Sequence, residues 1–254
     1  TESTSADRWV KGNDGRWRLK ESLMMSSRTL LAPTSPEETK EVAALLKQQA
    51  TALVAVEPGH PFTDLEAFGK AVGEARVVAL GEATHGTREI FQMKHRLLEY
   101  LVKEKGFTVF AIEANWPESQ AADRYIKTGE GDPKAALAAM YFWTWQTEEV
   151  LAMLQWMRAY NQSGPPRKLS FTSFDMQTFT VARDRVVDYL KQHAPDDVAF
   201  AEKAYAYLDR IDRRQRSDPA AQQAYEQAET VVVLMDKRRD QLTAKSSPEA
   251  FRDA

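Results

Sequence analysis

The sequence predicts an α/β fold: a parallel sheet flanked by helices, with an inserted or appended helical subdomain. Three observations carry this reading. Short apolar runs rich in β-branched and aromatic residues lie at 76–80, 107–113 and 168–175, each of strand length. A stretch from Thr87 to about Lys105 separates the first two, with Ile90, Met93, Leu97, Leu98 and Leu101 at helical spacing. After Thr178 the strand signals cease and charged, Ala-rich helical patterns take over.

Residues 1–36 are rich in Ser, Thr, Gly and charge and lack a sustained period, so they read as a loosely ordered arm. Trp9 and Trp17 offer that arm anchors to the body. Ser35-Pro36-Glu37-Glu38 opens a helix that runs to about Thr51, with Ser35 as N-cap, proline in the first position and acids in the first turn. Phe62-Thr63-Asp64-Leu65 opens a shorter helix that ends near Gly73. The run at 76–80, the helix stopped by Gly106 and the run at 107–113 then give strand–helix–strand, which implies a right-handed βαβ unit. Helices at 117–127 and 147–160, separated by Gly129-Glu-Gly-Asp-Pro133, lead through a loop at 161–166 into the third strand. Residues 37–178 are thus the expected α/β core. Helical patterns at about 181–192, 198–216 and 219–244 make up the expected subdomain, 179–254. Phe251-Arg-Asp-Ala254 reads as part of a further helix without a stop signal. Three strands make a thin sheet for 254 residues.

Composition narrows the partners. The formal net charge is −3 without a basic stripe, so a nucleic-acid partner is not expected. Cysteine is absent, which excludes disulfides, thiolate metal sites and cysteine nucleophiles. No apolar run reaches the roughly 18 residues of a membrane span, and no leader pattern opens the chain. The expectation is a cytoplasmic protein with no membrane partner; nothing indicates its oligomeric state. Four histidines offer little for a multi-histidine zinc centre. The sequence holds no G-x-S-x-G elbow, no Walker loop, no G-x-G-x-x-G after a strand and no H-E-x-x-H.

What the sequence does hold is a strand that stops at Gly81, Glu82 and His85, directly before a helix. The carboxyl edge of a sheet is where open α/β folds build their sites. A neutral imidazole accepts a proton from water, and a nearby carboxylate fixes its tautomer and stabilises the imidazolium. Glu89 lies four residues after His85, within reach if His85 begins the helix. The competing reading is a helix cap, with Glu82 or Thr84 accepting backbone N–H groups and His85 solvated. Glu113 ends the second run in the same way, and adjacent parallel strands would bring it near Glu82 and His85. Two carboxylates and a histidine suit water activation or a metal. Asp175 repeats the pattern more weakly and equally suits a helix cap. The aromatic block Tyr141-Phe-Trp-Thr-Trp145, with Trp156, reads as the wall of a pocket or as core. Arg88 and Lys94 either neutralise an anion near the site or are solvated helix charges. His60, His95 and His193 read as surface residues.

These residues resemble the erythromycin esterase family. Gly81-Glu-Ala-Thr-His-Gly-Thr-Arg-Glu89 is similar to its most specific motif. Leu97-Leu-Glu-Tyr-Leu101, Phe110-Ala-Ile-Glu-Ala-Asn115, Trp143-Thr-Trp-Gln-Thr-Glu148 and Trp156-Met-Arg-Ala-Tyr-Asn161 follow in the expected order. The resemblance covers about 60–180 well and the later helices loosely. It implies hydrolysis of a carboxylic ester, a macrocyclic lactone in the macrolide-inactivating members that confer antibiotic resistance. It further implies His85 as the base that activates water, supported by Glu82 and Glu113, with no metal or other cofactor. Family members are longer, and a further strand with another functional histidine follows the helical region, so the resemblance implies an N-terminal part of a longer protein. The expected chemistry is His-activated water without a covalent intermediate. Glu82, His85, Glu113 and Glu89 form the catalytic set, and Arg88, Trp143 and Trp145 the substrate contacts. The alternatives are a metal-dependent hydrolase that uses Glu82, His85 and Glu113 as ligands, and a non-catalytic binding homologue.

Overall fold

Ser35 caps the first helix, α1 (Pro36–Gln49), through a reciprocal box. Its hydroxyl accepts the Glu38 N–H at 3.1 Å, while the Glu38 carboxylate accepts the Ser35 N–H at 2.7 Å. This is a computed structural model, and it describes residues 2–11, 17–28, 35–208 and 219–254, the first two stretches as backbone only. By internal contacts the chain divides into two units, Thr1–Val54 with Thr63–Ala71, and Ala55–Phe62 with Val72–Ala254.

The first unit holds an antiparallel pair, β1 (Glu2–Lys11) and β2 (Trp17–Arg28), then α1, a 3₁₀ turn at Thr63–Leu65 and α2 (Glu66–Val72). The paired strands correct the expected loosely ordered arm. Trp17, Leu19, Leu23 and Met25 recur at even spacing in β2, and Gly12-Asn-Asp-Gly15 between the strands is turn composition. Charged and Ser residues at the intervening positions concealed that period.

In the second unit, α3 (Arg88–Lys105) ends at Gly106, whose φ of 72° is the left-handed stop that favours glycine. β3 (Val109–Asn115), α4 (Trp116–Thr128), α5 (Pro133–Ala139), α6 (Glu148–Gln162) and β4 (Ser170–Asp175) follow. β3 and β4 pair in parallel from Val109–Ser170 to Ile112–Ser173, with a register shift before Asn115–Asp175. Helices α3, α4, α5 and α6 pack with this sheet around Phe91, Leu98, Ile112, Ile126, Leu154 and Phe171. Then come α7 (Thr180–His193), α8 (Val198–Tyr205), α9 (Pro219–Lys237), α10 (Arg239–Lys245) and α11 (Pro248–Asp253). They share a second core that includes Leu190, Ala201, Val231 and Leu242. The expected α/β class with a helical subdomain is therefore present. Among the described residues, no helix is long and apolar enough to cross a membrane.

Two expectations change. Residues 76–80 form no strand and pair with none among the described residues, and Val77 is 84% exposed. An apolar, β-branched run states a preference for extended backbone; only a partner edge makes it a ladder. The second change concerns α3, whose buried face comprises Phe91, His95, Arg96, Leu98, Glu99, Leu101 and Val102. His95 is therefore not a surface residue.

Three polar side chains on that face have structural tasks. Arg96 is fully buried and donates to the carbonyls of Ala55 at 2.6 Å and Pro61 at 2.5 Å. Glu99 accepts the Gly59 N–H at 2.7 Å, so two side chains of α3 hold the loop at 55–61 through three hydrogen bonds. His95 packs edge-on against Trp156 at 5.6 Å, its Nε2 buried without a hydrogen-bond partner among the described residues. Burial, with a smaller contribution from the Lys103 charge, lowers the His95 pKa to about 4 from 6.5. The unfolded chain therefore binds a proton that the fold rejects, and stability falls as pH drops below 6.5. Unfolding by urea should show a loss of about 2 kcal/mol at pH 5 relative to pH 7, approaching about 3 near pH 4. His95→Leu should flatten that slope.

Candidate active site

The turn between residues 81 and 87 brings the candidate groups together, and α3 completes the arrangement. His85 Nδ1 is hydrogen-bonded to Glu82 Oε1, while the other oxygen of Glu82 accepts from Lys94 Nζ. Lys94 lies on the inward stripe of α3, three residues after Phe91 and four before Leu98, with its ammonium 5.6 Å from the Phe91 ring centroid. The Glu82 side chain is 12% exposed and that of His85 55%, so the carboxylate is held while the imidazole meets solvent. Burial opposes ionisation of Glu82, but hydrogen bonds and charge from Lys94 and His85 outweigh it and hold its pKa below the usual 4.5. An ionised carboxylate only accepts. The neutral imidazole therefore carries its proton on Nδ1, which leaves the Nε2 lone pair free as a base.

These groups line a cavity of about 740 Å³ together with Glu113, Trp145 and Glu149. Glu113 reaches it from β3, whose end is fixed by a buried polar network. Asn115 Nδ2 donates to Glu118 at 3.1 Å and to Thr178 Oγ1 at 2.6 Å; Asn115 Oδ1 accepts the Gln177 N–H at 2.7 Å. Trp145 is buried and donates its indole N–H to the Glu113 carbonyl at 2.9 Å. Trp143 is 68% exposed and stands edge-on to His85, 6.5 Å between centroids. Between α5 and these tryptophans the chain reverses at Tyr141. Its φ is 64°, and the Phe142 N–H bonds the Met140 carbonyl at 2.8 Å, a tight turn that a tyrosine adopts only under strain.

The structure thus joins Glu82 and His85 in direct contact and places Glu113 in the same cavity. Among the described residues, no three His, Asp or Glu side chains gather as a metal set, so Glu82, His85 and Glu113 do not form one. Glu89 is exposed and does not line the cavity, because the helix starts at Arg88 and His85 lies in the preceding turn. Arg88 pairs with Glu149 at 3.2 Å, a partner the sequence did not reveal. Asp175 accepts its neighbour Met176 N–H at 2.7 Å and the Gln177 side chain at 2.6 Å, a turn-fixing arrangement. Lys94, which the sequence leaves between an anion partner and a solvated helix charge, is paired with Glu82. Its place on the buried stripe was the available signal.

Gly86 has φ of 76°, and a Cβ there would lie 2.8 Å from Trp143 Cζ3. Gly86→Ala should therefore cost about 1–2 kcal/mol of backbone strain and push the indole away. A shift in tryptophan fluorescence together with a lower urea midpoint checks this.

Fold and site define the class: an α/β protein with a carboxylate-oriented histidine on the rim of an apolar cavity. The chain belongs to the erythromycin esterase family, whose model matches residues 102–254, a span that begins within α3 after the His85 turn. It is 34% identical over 149 residues to YbfO of Bacillus subtilis (strain 168), whose given name includes hydrolase, covering 57% of this chain and 32% of that protein. Erythromycin esterase type II of Escherichia coli is 31% identical over 119 residues, 47% of this chain and 28% of that one. Among solved structures, a succinoglycan biosynthesis protein is 32% identical with a TM-score of 0.63, covering 86% of this chain and 56% of that one. A Bacillus cereus protein is 28% identical with a TM-score of 0.65, covering 85% and 55%. An erythromycin esterase mutant in its open conformation, 19% identical with a TM-score of 0.57 over 78% of this chain and 51% of that one, shows likeness of fold alone. The chain spans about a third of the curated relatives it matches and about half of the solved ones.

Proposed function

We propose that this chain carries the water-activating part of a hydrolase that cleaves a carboxylic ester, with a macrocyclic lactone as the preferred class. The observation that supports it is the Lys94–Glu82–His85 chain of contacts at the rim of the cavity. His85 Nε2 takes the proton of a water molecule as that water attacks the ester carbonyl. Glu82 holds the imidazole in the productive tautomer and balances the imidazolium, Lys94 keeps Glu82 ionised, and Glu113 lines the same cavity. His85 then returns the proton to the departing alkoxide, giving acid and alcohol. Trp143 and the apolar lining suit the hydrocarbon part of such a substrate.

The test is an ester and lactone hydrolysis screen with protein expressed from its complete coding sequence, followed by single turnover in ¹⁸O-water. Direct attack by water places one ¹⁸O in the acid product and leaves the enzyme mass unchanged throughout. An acyl adduct on the protein would replace this reading with nucleophilic catalysis.

A further inference from the structure

β3 and β4 fall out of register at Glu113. From the pair Ile112–Ser173 to the pair Asn115–Asp175 the chain advances three residues along β3 and two along β4. β3 therefore carries one extra residue, a bulge at Glu113-Ala114 with Phe174 alone across from it. Burial marks the same place. Ala111 and Glu113 are exposed while Ile112 and Ala114 are buried, the alternation of a regular strand. Continued, it would expose Asn115, which is instead 1% exposed. Bulges are rare in parallel pairs, and beside active sites they re-aim a side chain.

Two fastenings hold this bulge. The Glu113 carbonyl accepts the Trp145 indole N–H at 2.9 Å, a donor from outside the sheet. Beyond it the Asn115 amide is saturated. Oδ1 accepts the N–H groups of Gln177 at 2.7 Å and Thr178 at 3.3 Å; Nδ2 donates to Glu118 at 3.1 Å and to Thr178 Oγ1 at 2.6 Å. A buried amide with every site filled has one orientation, and so has the backbone that bears it. The Glu113 side chain is held differently. Glu82 and Glu149, the other acids of the cavity, are paired with Lys94 and Arg88. The Glu113 carboxylate has no hydrogen-bond or ion-pair partner among the described residues, so the backbone beneath it decides where it stands.

We infer that Asn115 is a positioning residue for the reaction: by locking the bulge, it sets the place of the Glu113 carboxylate in the cavity. This rests on the hydrolytic reading of His85 and Glu113. Asn115 does not line the cavity and acts only through Glu113. A displacement of about 1 Å in a positioned group costs on the order of 10²-fold in rate.

The experiment uses protein expressed from its complete coding sequence, assayed with p-nitrophenyl butyrate and with the best lactone of the screen. Asn115→Ala should lower kcat about 10²-fold with KM within about twofold. In a Glu113→Gln background the same substitution should cost less than about threefold, because the group it places is already gone. Thr178→Val, which removes one partner of the amide and keeps the side-chain shape, should give a smaller loss with the same dependence on Glu113; it carries the test if Asn115→Ala fails to fold. Crystal structures of the variants should show the Glu113 carboxylate displaced by about 1 Å or more, with the Glu82–His85 contact intact. Losses that multiply in the Glu113→Gln background would make Asn115 structural only and overturn the inference, as would an unmoved Glu113. Full activity of Glu113→Gln, or no hydrolysis of either substrate by the unaltered protein, would instead remove the hydrolytic reading, and the inference with it.

Discussion

His85→Ala should lower kcat/KM on an ester substrate by on the order of 10³-fold while leaving the urea midpoint nearly unchanged. The first half follows from geometry. Glu82 engages Nδ1, so Nε2 is the nitrogen left to act as base in the proposed reaction, and no other described imidazole lines the cavity. The second half follows from exposure: a side chain 55% open to solvent contributes little to folding, within about 0.5 kcal/mol. A variant that is both inactive and unstable would mean that the turn at 81–87 is structural, and one that stays fully active would remove His85 from the chemistry. Lys94→Met is the informative companion, because it frees Glu82 to take a proton without touching the imidazole. Glu82 has a depressed pKa in the fold, so its contribution to stability is present above about 4.5 and is lost as pH falls through the depressed value. An activity limb at or above 4.5 in the wild type therefore does not belong to Glu82. In Lys94→Met, a new limb moving up towards that range would.

Arg96→Ala should destabilise the fold by about 3 kcal/mol, the largest stability effect expected of a polar residue here. The guanidinium is fully buried and satisfies the carbonyls of both Ala55 and Pro61. Removing it leaves two acceptors without their donor and a hole the size of a long side chain. Arg96→Lys should recover only a fraction, since one ammonium on a flexible stem does not reproduce a planar fork spanning two carbonyls six residues apart. Equilibrium urea unfolding of the three proteins measures this directly. A loss below about 1 kcal/mol for the alanine variant would mean that the 55–61 loop is held mainly by the Glu99 contact.

Sequence signals are legible where their cause is itself local. The Ser35 cap, the Gly106 stop and the amphipathic spacing of α3 depend on a few adjacent residues, and each lies where the sequence put it. The run at 76–80 failed as a paired strand because pairing depends on a distant edge. His95, Arg96 and Glu99 were concealed because a stripe drawn through apolar letters leaves out polar ones that fold inward to hold a loop. Glu82 and His85 were legible from the turn composition. Lys94 required knowing which face of α3 looks inward, and Arg88–Glu149 required the approach of α6. The missing signal in each case was tertiary.

The cramped reversal at Tyr141 has a mechanical consequence. Five residues of backbone run from it through Trp143, resting on Gly86, to Trp145, whose indole grips the carbonyl of Glu113. The imidazole-bearing turn and the acid-bearing strand are therefore yoked by one short, tense span, and loosening it at position 141 would let them drift apart. Tyr141→Gly, which relaxes that span without altering any ionisable site group, should slow turnover while raising resistance to urea.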